Sequence, residues 1–274
     1  MSAAFEGSVV ATRDGTLMAH GVGGAGMDTL VASDAAAPAV CGVFVAYVLT
    51  GGASPEIWEL DTTSGEATLV MGDAIAPDYS LDCSLLVMTS NPGDDGDILV
   101  LERASGSTTH LTDDDVADGA PGFVASDRVA WSRRPAEARD AALYHAAVAG
   151  GMPMLWLDGP GNDQRPRLSA GGDKVVFTRC DSDDGDICEV VLATPDGTMQ
   201  GALQAPGCSR RDAGWYTPPD GTDMLVFNQR AAVSTGAPAG DLWHIVLAGQ
   251  RGTVFWSTTP LTTEDTEPAC CLVP

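Results

Sequence analysis

The chain contains a strand-turn-strand unit that recurs along most of its length. Two clear copies are LLVMTSNPGDDGDILVLE at 85–102 and KVVFTRCDSDDGDICEVVL at 174–192, each with an Asp/Gly turn between two apolar segments. Aligning the residue near the end of each first segment gives steps of 36, 41, 43, 46 and 50 residues. The aligned residues are Ala11, Tyr47, Met88, Trp131, Phe177 and Phe227. Paired short strands at this period predict β-propeller blades.

A second recurring segment precedes the strand pairs and predicts the innermost strand of each blade. It carries acidic residues and often Pro, as at 111–127, 161–173 and 208–223. The same type of segment closes the chain at 261–274, whereas the N-terminus begins directly with the second-strand sequence SVVAT. We therefore expect the two termini to share one blade, because their pairing would remove the unpaired edges of an open ring.

Together these features predict an all-β fold, a six-bladed β-propeller of four-stranded antiparallel blades in a single domain of residues 1–274. Six blades of about 45 residues fit this chain length. The predicted blades are a split blade of 262–274 plus 7–34, followed by 36–72, 73–111, 112–160, 161–206 and 207–260.

Two segments resemble the TolB-type propeller repeat, D-x-x-P-x-W/F-S-P-D-G followed by a strand ending in F-T/S and a D-G-x-x-D-I-Y turn. They are DQRPRLSAGGDKVVFT with DDGDICEV at 163–190, and HLTDDDVADGAP with RVAWS at 110–132. The resemblance extends over nearly the whole chain and implies a TolB-like six-bladed propeller. We expect this propeller to lack the extra N-terminal domain and the exported leader of TolB itself.

The charge of the chain restricts its partners. It has 38 acidic and 14 basic residues and a net charge of −24, so we expect no binding to nucleic acid or to anionic membrane surfaces. The start MSAAFEGSVVATRDG lacks the basic and apolar regions of a signal peptide, and no apolar run is long enough to span a bilayer. These observations predict a cytoplasmic, monomeric protein.

The cysteines and the Asp-rich turns predict no metal site and no cofactor. Seven cysteines are an odd number, and no spacing matches a zinc site. Cys180 and Cys188 flank one turn and could face each other across a hairpin, but we expect them to be reduced thiols in the cytoplasm. The turns at 93–97 and 181–186 lack the spacing of an EF-hand calcium loop.

Several arginines mark the second-strand ends, where a propeller opens into its central funnel. One interpretation is a cationic ring for a carboxylate or another planar anion. The alternative is that each arginine neutralises an aspartate of a neighbouring turn, such as Asp184 or Asp113. The aligned residues are Arg13, Arg133, Arg179 and Gln229, with Arg230 directly after the last.

Other candidate site residues come from the predicted innermost strand at 208–223 and from one histidine. Trp215 and Tyr216, with Arg210 and Arg211 upstream, could form an aromatic floor beneath the cationic rim. His110 precedes a loop into an innermost strand and is the candidate general base.

Two function classes follow from these residues. The first is a TolB-like module that binds a small anionic or carbonyl-bearing ligand, or a protein segment, in the funnel. The second is a cofactor-independent lyase, cyclase or isomerase with its active site in the same funnel. G-x-S-x-G does not occur, so we expect no serine hydrolase of the prolyl-oligopeptidase type.

Overall fold

The structure is a computed structural model in which every regular element described is a β-strand. It describes residues 8–13, 15–21, 27–31, 33–90, 92, 95–181, 187–203, 208–216, 223–231, 244–251 and 254–260. Within these ranges there is no helix long and apolar enough to cross a bilayer.

Five four-stranded antiparallel sheets form the blades, numbered one to five in chain order. Blade one contains β4 (Ala35–Cys41), β5 (Phe44–Leu49), β6 (Glu56–Asp61) and β7 (Glu66–Gly72). Blade two contains β8 (Ala74–Tyr79), β9 (Leu85–Ser90), β10 (Asp97–Glu102) and β11 (Thr108–His110). Blade three contains β12 (Ala117–Ala125), β13 (Arg128–Arg134), β14 (Ala142–Ala147) and β15 (Met154–Leu157). Blade four contains β16 (Asn162–Leu168), β17 (Val175–Cys180), β18 (Cys188–Ala193) and β19 (Met199–Leu203). Blade five contains β20 (Cys208–Tyr216), β21 (Met224–Ala231), β22 (His244–Arg251) and β23 (Val254–Pro260).

One further sheet has three strands, β1 (Ser8–Arg13), β2 (Thr16–Gly21) and β3 (Met27–Val31), in that order. The prediction of a propeller of antiparallel four-stranded blades is confirmed, but the described residues form five such blades and not the expected six. The segment 262–274, which we expected to complete the remaining blade, lies outside the described residues.

The hydrophobic core lies between neighbouring blades, because each second strand is buried on both faces. Val87 and Ile98 of blade two, for example, pack with Phe123 and Trp131 of blade three. Equivalent clusters join blade one to blade two, blade three to blade four, and blade four to blade five. Leu17 of β2 packs against blade one, so the three-stranded sheet occupies the place of the next blade around the ring.

Each innermost strand has a β-bulge at the same position, opposite the residue on which the sequence repeat was aligned. The bulge contains a non-glycine residue with φ between 46° and 56°, a left-handed conformation that L-residues rarely adopt. In four blades Pro follows this residue, and in blade five Ala213 takes the place of Pro. The left-handed residues are Ala37, Ala76, Ala120, Arg165 and Asp212.

The bulged strands approach one another closely around the propeller axis. A Cβ atom added to Gly122 of β12 would lie 1.8 Å from the carbonyl oxygen of Pro166 in β16. Only glycine therefore allows this approach of the two backbones.

Two disulfide bonds are present among the described cysteines. Cys180 and Cys188 are bonded across the β17–β18 hairpin, so our expectation of two reduced thiols is wrong. They occupy directly paired positions of adjacent strands, which brings their side chains together on one face of the sheet. Cys41 at the end of β4 is bonded to Cys83 in the turn after β8, which links blade one to blade two.

Candidate functional site

The innermost strands begin, and the second strands end, on one face of the ring, which we call the funnel face. In blade three the first residue of β12 pairs with the last residue of β13, and in blade four Asn162 pairs with Cys180. The loops into the innermost strands and the second-to-third-strand turns therefore share this face. This arrangement places the predicted arginine positions at the funnel face, as the sequence alignment required.

Arg133 and Arg179 occupy the same register and each bonds an aspartate directly across on the innermost strand. Arg133 donates to Asp118 at 2.7 Å and to Asp114 at 2.6 Å. Arg179 donates twice to Asp163, at 2.6 and 2.8 Å. The two arginine side chains are only 9% and 13% exposed, so much of their hydrogen-bonding capacity serves to join strands.

One of these partners, Asp114, belongs to the same turn as the Asp113 that we considered, but Asp118 and Asp163 do not lie in turns. Asp118 and Asp163 are the first residues of the D-x-x-P motif, buried in the innermost strands, while Asp113 is exposed and Asp184 lies outside the described residues. The Arg179 guanidinium packs directly against the backbone of Gly159. A Cβ atom at position 159 would lie 2.3 Å from Arg179 Nη2, so only glycine leaves room for this contact. The structure thus gives Arg133 and Arg179 a counter-ion role that the sequence left open.

Asp118 combines burial with several hydrogen-bond donors. Its carboxylate accepts from Trp131 Nε1 at 2.8 Å and from Arg133, and no part of the side chain is exposed. Burial raises the pKa of Asp118 to about 7, although the Arg133 charge and the Trp131 hydrogen bond act in the opposite direction. The carboxyl group therefore gains a proton in the folded state near neutral pH.

We expect the replacement of Asp118 by Asn to weaken the pH dependence of stability. A folded-state pKa above the unfolded value means that the folded state binds more protons between pH 4 and pH 7, so stability falls as the pH rises through this range. From pH 5 to pH 8 the wild type should lose about 2 to 3 kcal/mol more than Asp118→Asn. Urea unfolding at both pH values measures the difference. A wild type that gains stability relative to Asp118→Asn over this range would show that the Arg133 ion pair outweighs burial.

The other predicted binding residues lie in or beside blade five. Arg210 takes the register of Asp118 and Asp163, is buried, and stacks with its guanidinium carbon 5.3 Å from the Phe227 ring centre. Gln229 and Arg230 pair with Arg210 and Ser209 across β20 and β21, and Arg13 ends β1, but the side chains of these three residues lie outside the description.

The most exposed cation described on an innermost strand is Arg165, which sequence reasoning did not select. It is the left-handed residue of the β16 bulge, and its side chain is 42% exposed. Its Nη1 lies 2.7 Å from Asp212 of β20, which also lies 3.3 Å from Arg211. The signal was present as the residue before Pro in the D-x-x-P motif at 163–166, once the motif is recognised as an axial bulge.

Deeper along the axis, an ion pair spans three innermost strands. The Asp78 carboxylate of β8 lies 3.4 Å from Arg167 Nε of β16. Both side chains also hydrogen-bond to the backbone of β12, which lies between these strands. Asp78 accepts from the Phe123 N–H at 2.9 Å, and Arg167 donates to the Pro121 carbonyl at 2.7 Å. This pair lies two residues deeper than the ring of left-handed residues and forms a polar floor.

The predicted aromatic floor is in the same deep region, where β20 ends. Trp215 donates through Nε1 to the Arg167 carbonyl at 2.9 Å, and Tyr216 is buried. Trp215 thus lies beside the Asp78–Arg167 pair and joins blades four and five.

His110 is exposed in β11, the outermost strand of blade two, three strands away from the axis. It therefore lies two blades away from β16, the innermost strand that carries Arg165. Among the residues that the structure describes, no group of three or more His, Cys, Asp or Glu side chains is placed to hold a metal ion.

Comparison with solved structures shows the same architecture in proteins of low sequence identity. TolB from Acinetobacter baumannii superposes with a TM-score of 0.68 at 17% identity, over 96% of this chain and 65% of that one. A putative TolB from Agrobacterium tumefaciens gives 0.62 at 19% identity, over 72% of this chain and 77% of that one. The gluconolactonase XC5397 from Xanthomonas campestris gives 0.60 at 15% identity, over 88% of this chain and 82% of that one.

The chain thus spans just under two thirds of the length of the Acinetobacter protein. No protein-family model and no curated protein sequence matches it. At these identities the likeness establishes the fold and not the activity. The molecule is a β-propeller with the blade architecture found in TolB.

Proposed function

We propose that this protein binds a small ligand bearing a carboxylate or another anionic group in the axial funnel, with Arg165 as its principal partner. The observation that carries the proposal is the exposure of Arg165 on an innermost strand of the ring. Arg165 places a positively charged group on an innermost strand of a protein whose net charge is −24.

Arg165 is better suited to an anion than the arginines predicted from the sequence. Arg133 and Arg179 are nearly covered and bonded to aspartates in their own blades. The ion pair described for Arg165 uses Nη1, so its guanidinium can offer further donors to a planar anion. In this proposal Arg133 and Arg179 hold the funnel wall rigid, and Arg165 contacts the ligand.

Replacing Arg165 by Gln should weaken the binding of benzoate at least about tenfold, as expected for a lost charge-assisted hydrogen bond. Arg139→Gln is the matched control, because this substitution removes the same charge from an exposed loop on the funnel face. The Arg139 side chain is 93% exposed. NMR titration of both variants and the wild type measures the affinities, and thermal melting checks the fold. Equal affinities in all three proteins would contradict the proposal.

No described residue of the funnel is placed as an accessible general acid or base, so we do not propose an enzyme. Its candidate general base, His110, is on an outermost strand, and Asp118, a buried acid of the funnel face, is enclosed by Trp131 and Arg133. A protein segment with a carboxylate would use the same Arg165 contact as a small ligand. We therefore favour a binding module, for which a small carboxylate is the simplest probe.

We also propose that the ring is a TolB-like propeller of six blades closed by its two termini. In the described sheet β1 lies at the edge and pairs only with β2. The segment 262–274 has the acidic, Pro-containing pattern that precedes the second strand elsewhere in the chain. Pairing of this segment with β1 would complete a fourth strand and satisfy the open edge.

A further inference from the structure

Two adjacent residues in each innermost strand border the axial channel. Each pair follows a buried residue and precedes the Pro of the bulge, or Ala213 in blade five. All ten residues are partly exposed. Blades one to four each pack against a neighbour on both faces, so solvent reaches the middle of their innermost strands only through the channel. The pairs are Ala36–Ala37, Ile75–Ala76, Gly119–Ala120, Gln164–Arg165 and Arg211–Asp212.

The two sides of this channel differ in polarity. Blades one to three contribute only Ala, Ile and Gly, which offer no side-chain hydrogen-bonding group. Blades four and five contribute an amide, two guanidinium groups and one carboxylate. Among the described innermost strands, the change falls between β12, with Gly119 and Ala120, and β16, with Gln164 and Arg165. We call the part of the channel bordered by β4, β8 and β12 its apolar half, and the part bordered by β16 and β20 its charged half.

We propose that the ligand is an amphipathic carboxylate, with its carboxylate group on Arg165 and its apolar body against blades one to three. This inference rests on the proposed function of the funnel. A polyhydroxylated ligand would leave hydroxyl groups without partners against the Ala and Ile residues, at a cost in free energy. An apolar body removes its own surface and that of the alanines from water.

The length of the ligand is limited by the ion pair beneath the channel. Asp78 and Arg167 bridge the backbone of β12 from both sides, two residues below the left-handed ring. Two residues of extended strand correspond to about 7 Å. A short aliphatic or single-ring acid fits this depth.

The test is an NMR titration with acetate, butanoate and hexanoate. In the wild type, affinity should rise about fourfold for each added methylene, the gain expected from burying it. Ala76→Asn places a polar side chain in the apolar half, and Asn adopts the left-handed conformation of this position, where φ is 54°. This variant should lose most of the gain in affinity from acetate to hexanoate.

The outcomes separate the inference from the function beneath it. Binding that is equal for the three acids yet lost in Arg165→Gln would overturn the amphipathic ligand and leave the funnel as an anion site. A chain-length gain that persists in Ala76→Asn would also overturn the inference. Absence of binding for all three acids, or binding unchanged in Arg165→Gln, would overturn both. Thermal melting of each variant confirms that it is folded before the titration is interpreted.

Discussion

Deletion of residues 262–274 should lower the stability of this protein by several kcal/mol. β1 is the edge strand of its described sheet, and Leu17 of β2 packs against blade one, so the three-stranded sheet is part of the ring. If 262–274 supplies the strand beside β1, its loss opens the propeller and exposes a row of unpaired backbone groups. For a chain of this size the melting temperature should fall by about 10 °C or more.

A peptide of the deleted sequence is the control for this experiment. Added in excess to the truncated protein, it should restore part of the lost stability, because it can pair with the exposed edge of β1 by strand addition. A peptide with the same composition in scrambled order should not. If the truncated protein melts within a degree or two of the intact chain, closure by the termini is wrong.

Removal of the disulfide between Cys41 and Cys83 should lower the free energy of unfolding by about 4 kcal/mol in the chain-entropy model. These cysteines are 42 residues apart and join two blades, so the bond restricts a long loop of the unfolded chain. The matched control is the double replacement of Cys180 and Cys188, which are 8 residues apart. Its expected cost is about 2 to 3 kcal/mol. Urea unfolding of the two Cys→Ala double variants compares them.

A thiol count tests the same bonds without mutation. Four of the seven cysteines are in disulfides, and 7 − 4 leaves at most three free thiols in denatured, unreduced protein. Seven reactive thiols in protein isolated from its host would contradict both bonds. The count also bears on the cytoplasmic location predicted from the sequence, because disulfides persist mainly in oxidising compartments.

The repeat in the sequence determined the type of fold, because each strand pair carries its own local signals. Apolar segments around Asp/Gly turns define hairpins such as β9–β10 and β17–β18 without reference to the rest of the chain. Five of the six residues aligned by the period, all except Ala11, lie opposite the bulge of a described innermost strand, so the alignment was also correct in register there. Local pattern is sufficient here because a blade is a local structure.

The interpretation of the arginines depended on contacts that only the folded chain supplies. The sequence showed that Arg133 and Arg179 share a position, but their partners are 15 and 16 residues earlier, on the innermost strand. Aspartates of neighbouring turns were the partners considered from the sequence, and Asp114 in one of those turns does bond Arg133. Cross-strand pairing adds Asp118 and Asp163, since antiparallel register, and not sequence distance, decides which side chains meet.

The sequence by itself determined the strands, their pairing into blades and the scarcity of positive charge. Tertiary structure decided which positive charge faces the axis, since Arg165 owes its exposure to a backbone bulge that places residues of five separate blades around one channel. It also decided the bond between Cys41 and Cys83, which depends on the packing of two blades against each other. Both features arise between blades, where residues distant in sequence meet, and a repeat period specifies only what happens within one blade.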